Sequence, residues 1–152
     1  MKDTSVIPLH PMPCPPFYRL TTDSGITIPL FAARVQAGFP SPADDYLVGR
    51  IDLNAYISSN PTSTFLVKVE GDSMIGVNIV PGDLAVVDKS RTAKSGEIVL
   101  AFVAGEFTIK RLEIRADGAY LLAENIKYKP IRVTEAESGR VWGVVVGMVR
   151  SL

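Results

Sequence analysis

One serine stands where the chain could present a nucleophile. Gly71-Asp-Ser-Met74 follows directly on the apolar run Thr64-Phe-Leu-Val-Lys-Val69, so a strand hands over to a turn that exposes Ser73 with a backbone N–H beside it. A serine hydroxyl needs a base to attack a carbonyl. Histidine, the usual base, occurs once, as His10, in a proline-rich stretch about sixty residues earlier, and the single cysteine, Cys14, shares that stretch. A Ser-His-Asp triad and a cysteine nucleophile are both poorly served by these positions. The remaining chemistry is a serine activated by a neutral lysine, and Lys110 in Phe107-Thr-Ile-Lys-Arg-Leu-Glu-Ile114 is the candidate. Strand alternation puts Lys110 on the face of Thr108, Leu112 and Ile114, with Arg111 on the opposite face beside Ile109 and Glu113. Apolar neighbours strip water from the amine, burial disfavours its charged form, and the shift required lies within the documented range for buried lysines. No companion acid is needed; a nearby carboxylate would hold the lysine charged.

Each of these features also has an ordinary structural use. Gly-Asp-Ser is common turn composition. Lys-Arg on a strand is common on a solvated edge. Pro81-Gly-Asp83 and Ser95-Gly-Glu97 are, by themselves, hairpin turns. The chemistry therefore depends on the elements that would bring Ser73 and Lys110 together.

Those elements read as strands. Thr64 to Val69, Leu84 to Val87, Glu97 to Val103, Phe107 to Ile114, Ala119 to Leu122 and Val141 to Val149 are rich in β-branched and aromatic residues. Turns at Pro81-Gly-Asp83, Ser95-Gly96, Ala104-Gly-Glu106 and Asp117-Gly118 separate them. One short helix, Leu53 to Ile57, is capped by Asp52 and ended by Ser58-Ser-Asn-Pro61. Short connections favour antiparallel neighbours, so the expected fold is a compact, highly twisted, mostly β domain over residues 49–152. Residues 1–48 read as an extended arm, because prolines at 8, 11, 13, 15, 16, 29, 40 and 42 oppose regular ladders and leave only patches such as Gly25-Ile-Thr-Ile28. The sequence shows no internal repeat, and residues 1–48 are not expected to form a helix-turn-helix.

Composition narrows the function classes. Sixteen basic and sixteen acidic residues cancel over 152 positions, and no dense basic run offers itself to phosphates, so direct sequence-specific DNA binding is not expected. A lone cysteine suits a reducing compartment and gives no metal-ligand spacing; neither a metal nor a cofactor is expected. The amino-terminal prolines break any signal-like apolar run, and Val141 to Val149, the longest apolar run, has only strand length, suited to core or to a dimer interface. A soluble cytoplasmic protein without a membrane segment is the expectation.

Taken as an ordered set, Gly71-Asp-Ser-Met74, Gly82-Asp-Leu84, Gly96-Glu-Ile-Val99 and Phe107-Thr-Ile-Lys-Arg-Leu112 resemble the carboxy-terminal peptidase domain of the LexA/UmuD family. Phe31-Ala-Ala-Arg-Val-Gln-Ala-Gly-Phe-Pro-Ser-Pro-Ala-Asp-Asp-Tyr46 and Arg50-Ile-Asp-Leu-Asn54 are similar to UmuD in particular, and the resemblance covers roughly residues 29–152. It implies a self-cleaving Ser-Lys peptidase with Ser73 as nucleophile, Lys110 as base and Ala37-Gly38 as the bond cut. It further implies stimulation by a RecA filament on single-stranded DNA within the SOS DNA-damage response. The implied product, residues 38–152, is a homodimer and an accessory subunit of a UmuC-type translesion polymerase. The arm before the bond is longer and richer in proline than the family pattern. Three other readings compete. A signal peptidase would need a membrane anchor, and a LexA-type repressor would need amino-terminal DNA-binding helices. A noncatalytic accessory module would carry the dyad as a vestige.

Overall fold

The computed structural model describes residues 18–19, 25–31, 47–133 and 140–152. Ten strands are formed there: β1 (Tyr18–Arg19), β2 (Ile28–Phe31), β3 (Leu47–Ile51), β4 (Thr64–Lys68), β5 (Leu84–Asp88), β6 (Ile98–Val103), β7 (Glu106–Arg115), β8 (Gly118–Leu122), β9 (Ile131–Val133) and β10 (Arg140–Val149). Eight make one antiparallel sheet in the order β1-β4-β5-β10-β6-β7-β8-β9, and β2 pairs with β3 separately. The mostly β, antiparallel architecture read from the sequence is the one observed.

The last strand lies in the middle of the sheet. β10 pairs with β5 on one side and β6 on the other, and its register slips between Val141 and Gly143 and again between Val145 and Gly147. Extra residues of this kind increase the local right-handed twist. Gly143 permits the close crossing, because a Cβ there would lie 2.7 Å from Val87 Cγ1 and 3.0 Å from the Asp88 carbonyl oxygen. Twist curls the sheet until both faces are covered. Val67, Met74, Ala85, Val87, Leu100 and Ile109 form one buried cluster; Val99, Ala101 and Leu112, which alternate with them along β6 and β7, form another with Leu121 of β8.

The short helix α1 (Leu53–Ile57) starts where expected: the Asp52 carboxylate accepts from the amides of Asn54 and Ala55. Within residues 1–48 the described strands are brief: Tyr18–Arg19 pairs with β4 and Ile28–Phe31 with β3, and β2 begins where the patch at Gly25 to Ile28 ended. Pro29 fits because a two-stranded ribbon consists only of edges, where a missing N–H is tolerated. β3 runs through residues 48 and 49, and Arg50 ties it to β2 by donating to Thr27 Oγ1 (2.7 Å) and Thr27 O (2.8 Å). β9 was not anticipated, being three residues long directly after Pro130. Among the described residues no helix is long and apolar enough to cross a membrane.

A fork of hydrogen bonds fixes the end of β10 to the turn that leads into β5. Arg150 Nε and Nη2 each donate to the Asp83 carboxylate at 2.6 Å, and Asp83, 1% exposed, also accepts from the Val80 amide. The Arg150 hydrogen bonds hold the Asp83 carboxyl at about 2, below the ~3.9 of an unfolded chain. The unfolded state thus binds this proton more readily. The stabilisation is complete above about pH 4 and is lost as pH falls through the folded value. Asp83→Asn is expected to be less stable than wild type at neutral pH, with the gap closing towards pH 2. Urea unfolding at pH 7 and pH 2.5 measures this; a gap that does not narrow would contradict it.

Candidate active site

β7 is an interior strand, with β6 on one side and β8 on the other, so Lys110-Arg111 is no solvated edge. Ile109, Lys110 and Leu112 are all buried, with Lys110 only 6% exposed. Register sets Lys110 opposite Val99 of β6, on the face that alternation assigned to it. Its ammonium position has three oxygen neighbours: Ser73 Oγ at 2.9 Å, Thr108 Oγ1 at 2.6 Å and the Ile109 carbonyl at 3.0 Å. Among the described residues no carboxylate forms an ion pair with it. Burial lowers the Lys110 pKa from its ordinary value, and no negative charge among the described residues opposes the shift.

This geometry accommodates both protonation states. As an ammonium, Nζ donates to all three oxygens. As a neutral amine it has two N–H groups and one lone pair. The Ile109 carbonyl can only accept and takes one N–H; with Thr108 Oγ1 accepting the other, the lone pair faces Ser73, whose O–H donates to it. That is the arrangement a general base requires.

Ser73 is brought to Lys110 by the exit from β4. Gly71 takes φ +76°, a left-handed conformation that costs glycine little, and turns the chain. Met74, 2% exposed, then anchors the next residue in the core beside Leu100 and Ile109. A 3-10 turn, Ile75–Val77, follows and ends at Asn78 with φ 60°. Ser73, half-buried between these anchors, faces a cleft lined by Val69, Gly71, Met74, Leu100, Phe107 and Thr108.

The structure thus brings two sequence-predicted site residues, Ser73 and Lys110, into hydrogen-bond contact. The other two, Ala37 and Gly38, lie outside the described residues, as do His10 and Cys14. Sequence reading placed Thr108 on the face of Lys110 without giving it a task, and period-two alternation was the signal that could have done so. It gave no role to Asn125 and Tyr128, which contact Asp72 beside the serine. No local pattern announces them. Among the described residues no group of three or more His, Cys, Asp or Glu could hold a metal ion.

Comparison with known proteins agrees with this architecture. Residues 29–146 match the family described as Peptidase S24-like. The chain is 41% identical to Protein ImpA of Salmonella typhimurium over 84% of its own length and 86% of that protein's. It is 44% identical to Protein SamA of Salmonella typhimurium strain LT2, over 81% of this chain and 85% of the relative. A LexA repressor of Mannheimia succiniciproducens is 36% identical over 85% of this chain but only 61% of the repressor.

Proposed function

The chain belongs to the Peptidase S24-like family, and from that premise we propose that it is a self-cleaving serine endopeptidase with Ser73 as nucleophile, Lys110 as general base and its own Ala37-Gly38 bond as substrate. The observation that carries this reading is the 2.9 Å contact between Lys110 Nζ and Ser73 Oγ at a buried lysine with no acidic partner among the described residues.

Neutral Lys110 takes the Ser73 hydroxyl proton as Oγ attacks the Ala37 carbonyl carbon, and the resulting oxyanion is met by backbone N–H groups of the serine turn. Collapse breaks the C–N bond, and the Lys110 ammonium returns its proton to the departing Gly38 amine. Water then attacks the Ser73 ester with Lys110 again as base, releasing the Ala37 carboxylate and restoring the hydroxyl. Small residues on both sides of the bond suit a bent loop entering a narrow cleft.

The family resemblance supports the finer parts of the proposal: residues 1–48 as the arm that contains the bond, a cytoplasmic SOS role, stimulation by a RecA filament, and a homodimeric product, residues 38–152, serving a UmuC-type translesion polymerase. A stimulus of this kind needs only to shift a population. If the scissile segment is docked in about 1% of molecules, a partner that favours the docked pose can raise the rate up to roughly a hundredfold.

Lys110 must be neutral to act, and burial lowers its pKa, so cleavage is expected to accelerate as pH rises towards alkaline values and then level off. Intact-mass spectra of the full-length chain, taken over time from pH 7 to pH 10, should show a fragment beginning at Gly38. A chain that stays whole throughout that range, with or without an activated RecA filament, would instead be a noncatalytic accessory module.

A further inference from the structure

The segment after β8, Ala123-Glu-Asn-Ile-Lys-Tyr-Lys-Pro130, supplies no member of the dyad, yet it grips the turn that carries Ser73. The Glu124 carbonyl accepts from the Gly76 amide at 2.7 Å. Asn125 Nδ2 donates to the Asp72 carbonyl at 2.9 Å. The Tyr128 hydroxyl donates to Asp72 Oδ1, while Oδ2 has Asn125 Nδ2 at 3.4 Å and Lys127 Nζ at 4.0 Å. A Cβ on Gly76 would sit 2.3 Å from the Glu124 oxygen, so the two segments approach more closely than any other residue allows. The gripping segment is itself tied to β7. Arg111, next to Lys110, donates through Nε to the Glu124 carboxylate and through Nη1 to the Gly96 carbonyl at 2.6 Å.

The Asp72 carbonyl and the Ser73 N–H belong to one planar peptide unit, and in the trans form they point in opposite directions. Fixing the oxygen therefore fixes the aim of the N–H. A donor for a developing oxyanion is most effective when its direction is set before the reaction. We propose that Asn125 is a positioning residue: by binding the Asp72 carbonyl, with Tyr128 steadying the carboxylate of the same residue, it orients the Asp72–Ser73 peptide so that the Ser73 amide and Oγ are held ready for attack. This inference rests on the reading of Ser73 as nucleophile.

The test follows self-cleavage of the full-length chain across pH by intact mass, with thermal unfolding recorded in parallel. Asn125→Ala is expected to lower the alkaline plateau roughly 10- to 100-fold, the scale of a small misplacement at a reacting centre. The pH at which cleavage rises should stay where it is in wild type, because the substitution adds no charge beside Lys110 and leaves the burial that lowers its pKa in place. Tyr128→Phe, which removes one exposed hydroxyl, should lower the plateau several-fold, again without moving that pH. A folded Asn125→Ala chain that cleaves at the wild-type plateau overturns the proposal, and so does one whose loss comes entirely from a displaced pH midpoint. Should Asn125→Ala fail to fold, Tyr128→Phe decides, and a wild-type plateau in that variant overturns it. Wild-type chain that is never cut removes the nucleophile reading and this inference with it; wild-type cleavage beside an unimpaired Asn125→Ala removes the inference alone.

Discussion

Ser73→Ala and Lys110→Met are each expected to slow release of the Gly38 fragment at least about a thousandfold at every pH, because a nucleophile and its base act as one unit and removing either removes both. The two substitutions should differ in stability. Ser73 is half-buried on a turn, and trimming its hydroxyl leaves the core untouched. Lys110 is buried with no acidic partner among the described residues and has a lowered pKa. The unfolded chain therefore binds its proton more readily than the folded one. By linkage the folded state loses stability as pH falls below the unfolded value of about 10.4, down to the folded pKa. A methionine of similar length fills the same space without that cost. Lys110→Met should accordingly raise the thermal unfolding midpoint at neutral pH while abolishing cleavage. Loss of cleavage with a lowered midpoint would show that the lysine contributes to the fold, and normal processing by either variant would remove the dyad.

The second large effect is expected at Thr108, whose Oγ1 lies 2.6 Å from Lys110 Nζ. Thr108→Asp sets a carboxylate where a neutral hydroxyl now stands. An opposite charge at that range favours the charged amine by about 1–3 pKa units, and each unit leaves tenfold less neutral lysine. Cleavage near neutral pH should fall about 10- to 1000-fold, with the whole rate profile moved to higher pH and recovering there. Thr108→Val, which removes an acceptor of the ammonium and adds no charge, should not move the profile upward. Rate against pH for the three chains is the measurement. If the Thr108→Asp and wild-type profiles superimpose, titration of Lys110 does not control the rate.

The contrast with Asp83 shows why acids are placed where they are. Asp83 is buried against Arg150, which holds it ionised and fastens the end of β10 to the turn before β5. Lys110 is buried against oxygens that carry no charge. The first environment stabilises an ion pair in the frame; the second disfavours an ion at the position where the proposed mechanism calls for a neutral base.

Local chemistry was legible in the residues themselves. Asp52 capped its helix, Gly71-Asp-Ser placed a serine on a turn after a strand, and period two set Lys110 beside Thr108, because each of these rests on neighbours a few positions apart. Membership of the β class followed from the same short-range patterns. The sheet order did not. Nothing local requires the last strand to enter between β5 and β6, yet that insertion, with Gly143 set hard against Val87, curls the sheet and buries the alternating residues of β6 and β7 on both faces. Only then does Lys110 lose its water on an interior strand. The contacts of Asn125 and Tyr128 with Asp72 join positions 53 and 56 apart in the chain. A residue's own type records what it can donate or accept; which distant group it meets is set by strand pairing and twist, and these exist only once the sheet has closed.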